Sequence, residues 1–255
     1  MNHFHVTLPS DSSNTTYPEN TTSRYTTKLS ERIQLDGDYE VGLAEFIYPH
    51  TWFNFNNSDE RYWIGVKIDA QESKKYILKS GYYIDGAAFA TDLNRQAVRA
   101  LLDATHMHIR FTFNSSTLKI TVDTNNKTWI TVSNDFMKYL GFPRGWPSNP
   151  RPHMTASKML DMNRGMNLMY IYSDVVSHSI VGDVETPLLR VCNISGRDGD
   201  LVRTIFTHPH YVPLARSEFE NIEINISSEL GCPIPFMHGK ALVTLHFRPK
   251  HNLAT

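Results

Sequence analysis

The N-terminal segment alternates apolar and polar positions. Phe4, Val6 and Leu8 fall on one side, His3, His5 and Thr7 on the other. A period of two predicts a half-buried strand. After a polar loop built on SDSSN, Tyr25, Thr27 and Leu29 alternate again. The stretch EVGLAEFIYPHTWFNF, residues 40–55, is denser in apolar side chains. As a helix it would carry Gly42 in its interior, at a cost of about 1 kcal/mol relative to alanine. As a strand it sets Tyr39, Val41 and Leu43 on one face and Ala44 and Phe46 on the other. Apolar residues on both faces predict a strand buried between two layers. Asp36-Gly37 supplies the preceding turn, and Pro49 is tolerated at a strand end. Glu45 is then expected to be partly buried with a partner, and HTWFNF to be the loop leaving the strand.

YWIGVKI, residues 62–68, also alternates, but the pattern then changes period. Phe89, Leu93, Ala97 and Leu101 recur every four residues, with Asp85 available as a cap, and predict an amphipathic helix over 85–103. HIRFTF, LKITV and TWITVS follow as short strands of an expected meander, and NDFMKYLGF reads as a short helix closed by Gly141. Residues 80–142 therefore read as an α+β insertion or second subdomain. The proline-rich stretch 143–152, with Trp146, is the expected boundary. Strand patterning returns in NLMYIYSDVV, PLLRVCNI, RTIF, FENIEINI and ALVTLHF, with the turn-rich GRDGD at 196–200 among them. Many short strands separated by Gly/Pro turns predict a mainly β chain. Residues 1–79 and 143–255 are expected to form a jelly-roll β-sandwich, interrupted by 80–142.

Composition narrows the function. The chain has 255 residues, 40% hydrophobic and 20% charged, which supports a packed core. Lys plus Arg is 25 and Asp plus Glu is 26. That balance gives no bulk electrostatic footprint for nucleic acid, and RPHMTASK and RPKH are only small basic loops, so no specific nucleic-acid partner is expected. The first residues lack the pattern of a signal peptide, and no apolar run reaches the length of a membrane span. Neither secretion through a signal peptide nor a membrane-spanning segment is expected. Asn-x-Ser/Thr sequons at Asn14, Asn20, Asn56, Asn114, Asn126, Asn193 and Asn225 read as turn sequences. Cys192 and Cys232 lie far apart and read as reduced thiols.

Candidate chemistry is sparse. There is no GxSxG elbow, no P-loop, and no GxGxxG following a strand. Cys192 falls in mid-strand, and Asp198 and Asp200 lie in a loop without an apolar pocket. The pairs His3/His5, His106/His108 and His208/His210 could each put two imidazoles on one strand face. No further ligands accompany them, and Pro209 interrupts the last. No catalytic residue, metal or cofactor is expected. What remains is surface display. Trp52, Phe53, Phe55, Trp146 and Tyr211 stand at loop–strand borders, where aromatics either plug a sandwich or anchor an interface. Trp52, Phe53 and Phe55, with His208, His210 and Tyr211, are the candidate interface residues.

Several segments carry a family resemblance: YPEN at 17–20, DGDYEVGLAEFIYPHTWFN at 36–54, MYIYSDVVSHSIVGDVETPLLRV at 169–191, HPHYVPLARSEFENIEINI at 208–226 and GKALVTLHF at 239–247. Together they resemble the minor capsid (penton) proteins of Polinton/Maverick elements and adintoviruses over nearly the whole chain. The resemblance implies a virion protein, assembled inside the host cell, whose jelly roll forms homopentamers. These rings fill icosahedral vertices beside the major capsid protein, and no catalytic residues are implied. The 80–142 segment is a departure that a minimal jelly roll does not need. A carbohydrate- or receptor-binding β-sandwich is the competing class, because the same fold serves both roles.

Overall fold

The computed structural model describes residues 3–68, 74–100, 109–124, 128–143, 153–162 and 166–250. The chain divides into two compact units, Met1–Trp52 with Met166–Thr255, and Phe53–Gly165. In chain order the elements are β1 (Phe4–Pro9), β2 (Arg24–Gln34), β3 (Tyr39–Pro49), β4 (Trp63–Ile68), β5 (Lys74–Ile77), α1 (Gly86–Ala100), β6 (Ile109–Asn114), β7 (Lys119–Thr124), β8 (Thr128–Val132), α2 (Asn134–Tyr139) and β9 (His153–Thr155). There follow β10 (Leu168–Ser173), β11 (Ser179–Val181), β12 (Val184–Thr186), β13 (Leu188–Asn193), β14 (Leu201–Ile205), β15 (Tyr211–Pro213), β16 (Glu218–Ser228) and β17 (Leu242–Pro249).

The first unit holds two antiparallel sheets, ordered β1-β17-β3-β14, with β15 also paired to β3, and β13-β10-β16-β2. Setting aside the β11–β12 hairpin and β15, the remaining strands, counted along the chain, lie 1-8-3-6 and 5-4-7-2. First and last strands are neighbours, as are second and seventh. This is the double Greek key of a jelly roll. The second unit is inserted in the connection between β3 and β10. The core lies between the sheets: Val41, Leu43 and Phe46 of β3, with Val243, Leu245 and Phe247 of β17, belong to one cluster with Met169 and Ile171 of β10 and Ile222, Ile224 and Ile226 of β16.

The strand expected in EVGLAEFIYP is present, but it is one-sided. The β3–β17 register shifts: Leu43 faces Leu245, whereas Glu45 faces Thr244. Ala44 is the extra residue, a β-bulge that moves the following side chains by one position. Phe46 and Tyr48 thereby return to the core face used by Val41 and Leu43. The apparent two-faced pattern is one core face with a phase change in the middle. The bulged Ala44 carbonyl accepts a 2.8 Å hydrogen bond from the Phe206 N–H. Glu45 has its expected partner, Arg203 of β14.

The second unit contains the sheets β5-β4-β8 and β6-β7-β9. The meander expected from HIRFTF, LKITV and TWITVS forms only as far as its first hairpin. β8 pairs with β4, while the open edge of β7 takes β9, with Thr121 opposite Thr155. β4 is therefore a central strand. Tyr62 just before it, its own Ile64, and Leu78 after β5 join the core of this unit rather than that of the roll. The expected helix is α1, capped by Asp85 Oδ1, which accepts from the Ala88 N–H at 2.8 Å. Phe89, Leu93 and Ala97 are buried with Phe111, Ile120 and Val122. Leu101, Trp146, His106 and His108 lie outside the described residues. α2 starts at Ser133, whose hydroxyl accepts from Phe136 N–H, and Gly141 follows it at φ +83°.

Candidate functional site

The aromatic segment at the end of β3 separates into two environments. Trp52 is 3% exposed. Its ring stacks on His50 at 4.0 Å and meets Phe236 edge-on at 5.7 Å. Two loops hold this corner. The Ser195 N–H donates to the Tyr48 hydroxyl at 2.8 Å, and the Gly199 N–H donates to the His50 carbonyl at 2.8 Å, which docks the turn-rich GRDGD segment. The Thr51 hydroxyl donates to the His238 carbonyl at 2.8 Å. Phe55 is fully buried in the second unit, 5.1 Å from Tyr62 and 5.2 Å from both Phe89 and Tyr139. Phe53 is 37% exposed. Of these three aromatics, Phe53 alone presents its ring at the surface of the chain.

The other candidates sit on the outer face of the first sheet. Thr207-His208-Pro209-His210 is the excursion by which the chain leaves β14, opposite Glu45, and rejoins β3 through β15, opposite Gly42. His208 and His210 are exposed, and Tyr211 is half-buried. The register sets His5 opposite His246, His246 opposite Gly42, and Gly42 opposite Tyr211, one row across four strands. Gly42 leaves room for its neighbours: a Cβ there would stand 2.9 Å from Pro209 Cβ and 3.0 Å from the His210 carbonyl oxygen.

The imidazoles of His5 and His246 stack with centroids 4.4 Å apart. His246 Nε2 is 3.4 Å from His3 Nδ1, and His246 Nδ1 is 2.7 Å from the Tyr211 hydroxyl. The Arg248 guanidinium lies 3.5 Å over the Tyr211 ring and pairs with Glu40. Burial, and then the neighbouring His5, His3 and Arg248, hold His246 below its ordinary pKa. The alternation of His3 and His5 was visible in the sequence. Their partners arrive from about 240 residues away, and nothing local announced them.

Asp92 on α1 accepts from the Tyr83 hydroxyl at 2.5 Å and from Gln96 at 2.7 Å, and pairs with Arg95. These contacts outweigh burial and hold its carboxyl below the usual range. They pin the 80–83 loop beside an open depression of about 530 Å³. The Cys192 thiol is pushed up to about 12 by burial, so it is a protonated core group at neutral pH. Cys232 is exposed, and both are free. Among the described residues, no three His, Cys, Asp or Glu side chains are placed to hold a metal ion, and no helix is long and apolar enough to cross a membrane.

No protein-family model matches the chain, and no curated protein sequence matches it. A solved structure does: a crystal structure of selenomethionine-labelled mavirus penton protein. The chain shares the fold of a viral penton protein. The TM-score is 0.54 at 14% sequence identity, and the correspondence covers 97% of this chain and 99% of the mavirus chain. It therefore takes in both units rather than the jelly roll alone.

Proposed function

We propose that this chain is a penton, or minor capsid, protein of a Polinton/adintovirus-like virus. In this reading it assembles inside the host cell into a closed ring, a homopentamer, at the icosahedral vertices, beside the major capsid protein. The observation that carries the reading is the end-to-end correspondence with the mavirus penton, 97% of one chain against 99% of the other. A jelly roll alone is shared by many functions. A jelly roll with a second unit inserted between β3 and β10, matched along its whole length, is a narrower likeness. The sequence segments that resemble the Polinton and adintovirus pentons point the same way.

A ring needs two different, mutually complementary patches on each subunit. Trp52 and Phe55 belong to cores and do not supply them. Exposed apolar side chains do occur on β14, where Ile205 is 58% exposed, and on the β11–β12 hairpin, where Ile180 is 78% exposed. Phe53, His208, His210 and Tyr211 remain surface candidates. The test is the mass of the native particle at high protein concentration, with and without the co-expressed major capsid protein. A fivefold mass is expected. Ile180→Asp and Ile205→Asp should each return it to the monomer while circular dichroism stays native. A monomer that also fails to join co-expressed capsid shells would sink the penton reading and favour a carbohydrate- or receptor-binding sandwich.

A further inference from the structure

We propose that the His3–His5–His246–Tyr211 cluster is a proton-operated latch that holds the N-terminal half of β1 on the sheet when neutral and loosens it in mild acid. Among the described residues β1 is an edge strand, paired on one side, to β17. Besides that ladder and the packing of Phe4 and Val6 against the first core, its N-terminal end is held through His3 and His5, which both contact His246.

The proton count explains the sensitivity. A neutral imidazole has one donor nitrogen and one acceptor nitrogen, so the chain from Tyr211 through His246 to His3 runs in one direction. A second proton makes both nitrogens of His246 donors. The Tyr211 hydroxyl and His3 Nδ1 must then both accept, and His3 must stay neutral. The new charge would also face the stacked His5 ring and stand near Arg248. The surrounding groups offer no relief. β17 contributes Thr244 and Arg248, and β15 contributes Tyr211, with exposed His210 just before it. From β3 come Glu40, already bound to Arg248, and Glu45, already bound to Arg203 of β14. Both of these carboxylates are thus occupied by an arginine.

His246 is held below its ordinary value of 6.5. The unfolded or detached state therefore binds protons more readily as the pH falls. The latch contributes in full above about 6.5 and loses strength as the pH drops toward the depressed value of the folded state. The inference concerns the isolated chain and stands apart from the capsid reading.

Hydrogen exchange of the full chain at pH 7.5 and 5.5, corrected for intrinsic rates, tests it. The amides of residues 4–6 should lose protection in acid, and the loss should deepen as the pH falls through the His246 midpoint. His246→Gln keeps a polar partner for Tyr211 but cannot be charged, and should abolish the loss. Imidazole titration by NMR gives a second readout that does not depend on that variant folding. The His246 midpoint should lie below 6.5 and rise in His5→Ala. Equal protection at both pH values, the same loss in His246→Gln, or a His246 midpoint at or above 6.5 would overturn the proposal.

Discussion

Gly42 shows how much one missing Cβ can decide. It lies in a strand, where glycine weakens packing unless another segment approaches closely. Here Pro209, the His210 carbonyl and Tyr211 all lie within 3.1 Å of where a Cβ would be. Backbone and a proline ring cannot swing aside. Gly42→Ala is therefore expected to cost about 1–3 kcal/mol, as for overpacking. Urea denaturation checks it, and the loss should come with weakened contact between Tyr211 and His246. Trp52→Ala belongs to the opposite category. Its ring fills the corner between His50, Tyr48 and Phe236, so truncation should leave a cavity and cost about 3–5 kcal/mol. The change should appear in denaturation of the lone chain, whatever its state of assembly. The sequence could place Trp52 at a strand border but not say which way it faces. That is decided by the 195–200 and 234–238 segments, which close over it from far along the chain.

At the scale of elements, α1 and its partner strand give two tests. Leu93 is fully buried, so Leu93→Asp should place an uncompensated charge in the second core and lower the melting temperature sharply. Asn94 acts differently. Its amide donates to the Phe111 carbonyl at 2.8 Å and accepts from the Phe111 N–H at 2.7 Å, closing part of an open strand edge. Asn94→Ala strips both partners from those backbone groups and is expected to cost about 1–3 kcal/mol in thermal or chemical denaturation. The helix was legible because its apolar spacing is a local property, and its cap sits beside it. The hairpin of β6 and β7 was legible for the same reason. The pairing of β8 with β4 was not, because an alternating strand states which face is apolar and not which neighbour it will choose. The bulge at Ala44 was hidden too: a phase change within a strand and a strand buried on both faces look alike in sequence.

On the scale of the whole molecule, the jelly-roll class followed from many short strands and turns. The placement of the inserted unit did not follow so closely. Its compact extent is 53–165, whereas the expected insertion ran from 80 to 142. β4 carries the same alternation as the strands of the roll, so period alone could not assign it to a core. The outer-face histidine row was legible only as a doublet near the N-terminus. Its chemistry is a product of topology, since the roll sets the first strand beside the last.

That same adjacency governs the order in which the molecule can be made. β17 stands between β1 and β3, with Phe4 opposite Phe247 and Val41 opposite the same residue on the other side. A ribosome releasing the chain from its N-terminus delivers β1 and β3 long before the strand that joins them. The inserted unit, by contrast, is continuous in sequence and has a hydrophobic cluster of its own. Pairings of such long sequence separation form slowly, and the waiting strands have open edges meanwhile. Arrested nascent chains should therefore show protease protection of residues 53–165 soon after that segment emerges. Protection of β1 and β3 should appear only once residue 249 is free. Until β17 emerges, β1 and β3 each lack the neighbour that joins them, so the first sheet closes only after residue 249 has left the ribosome.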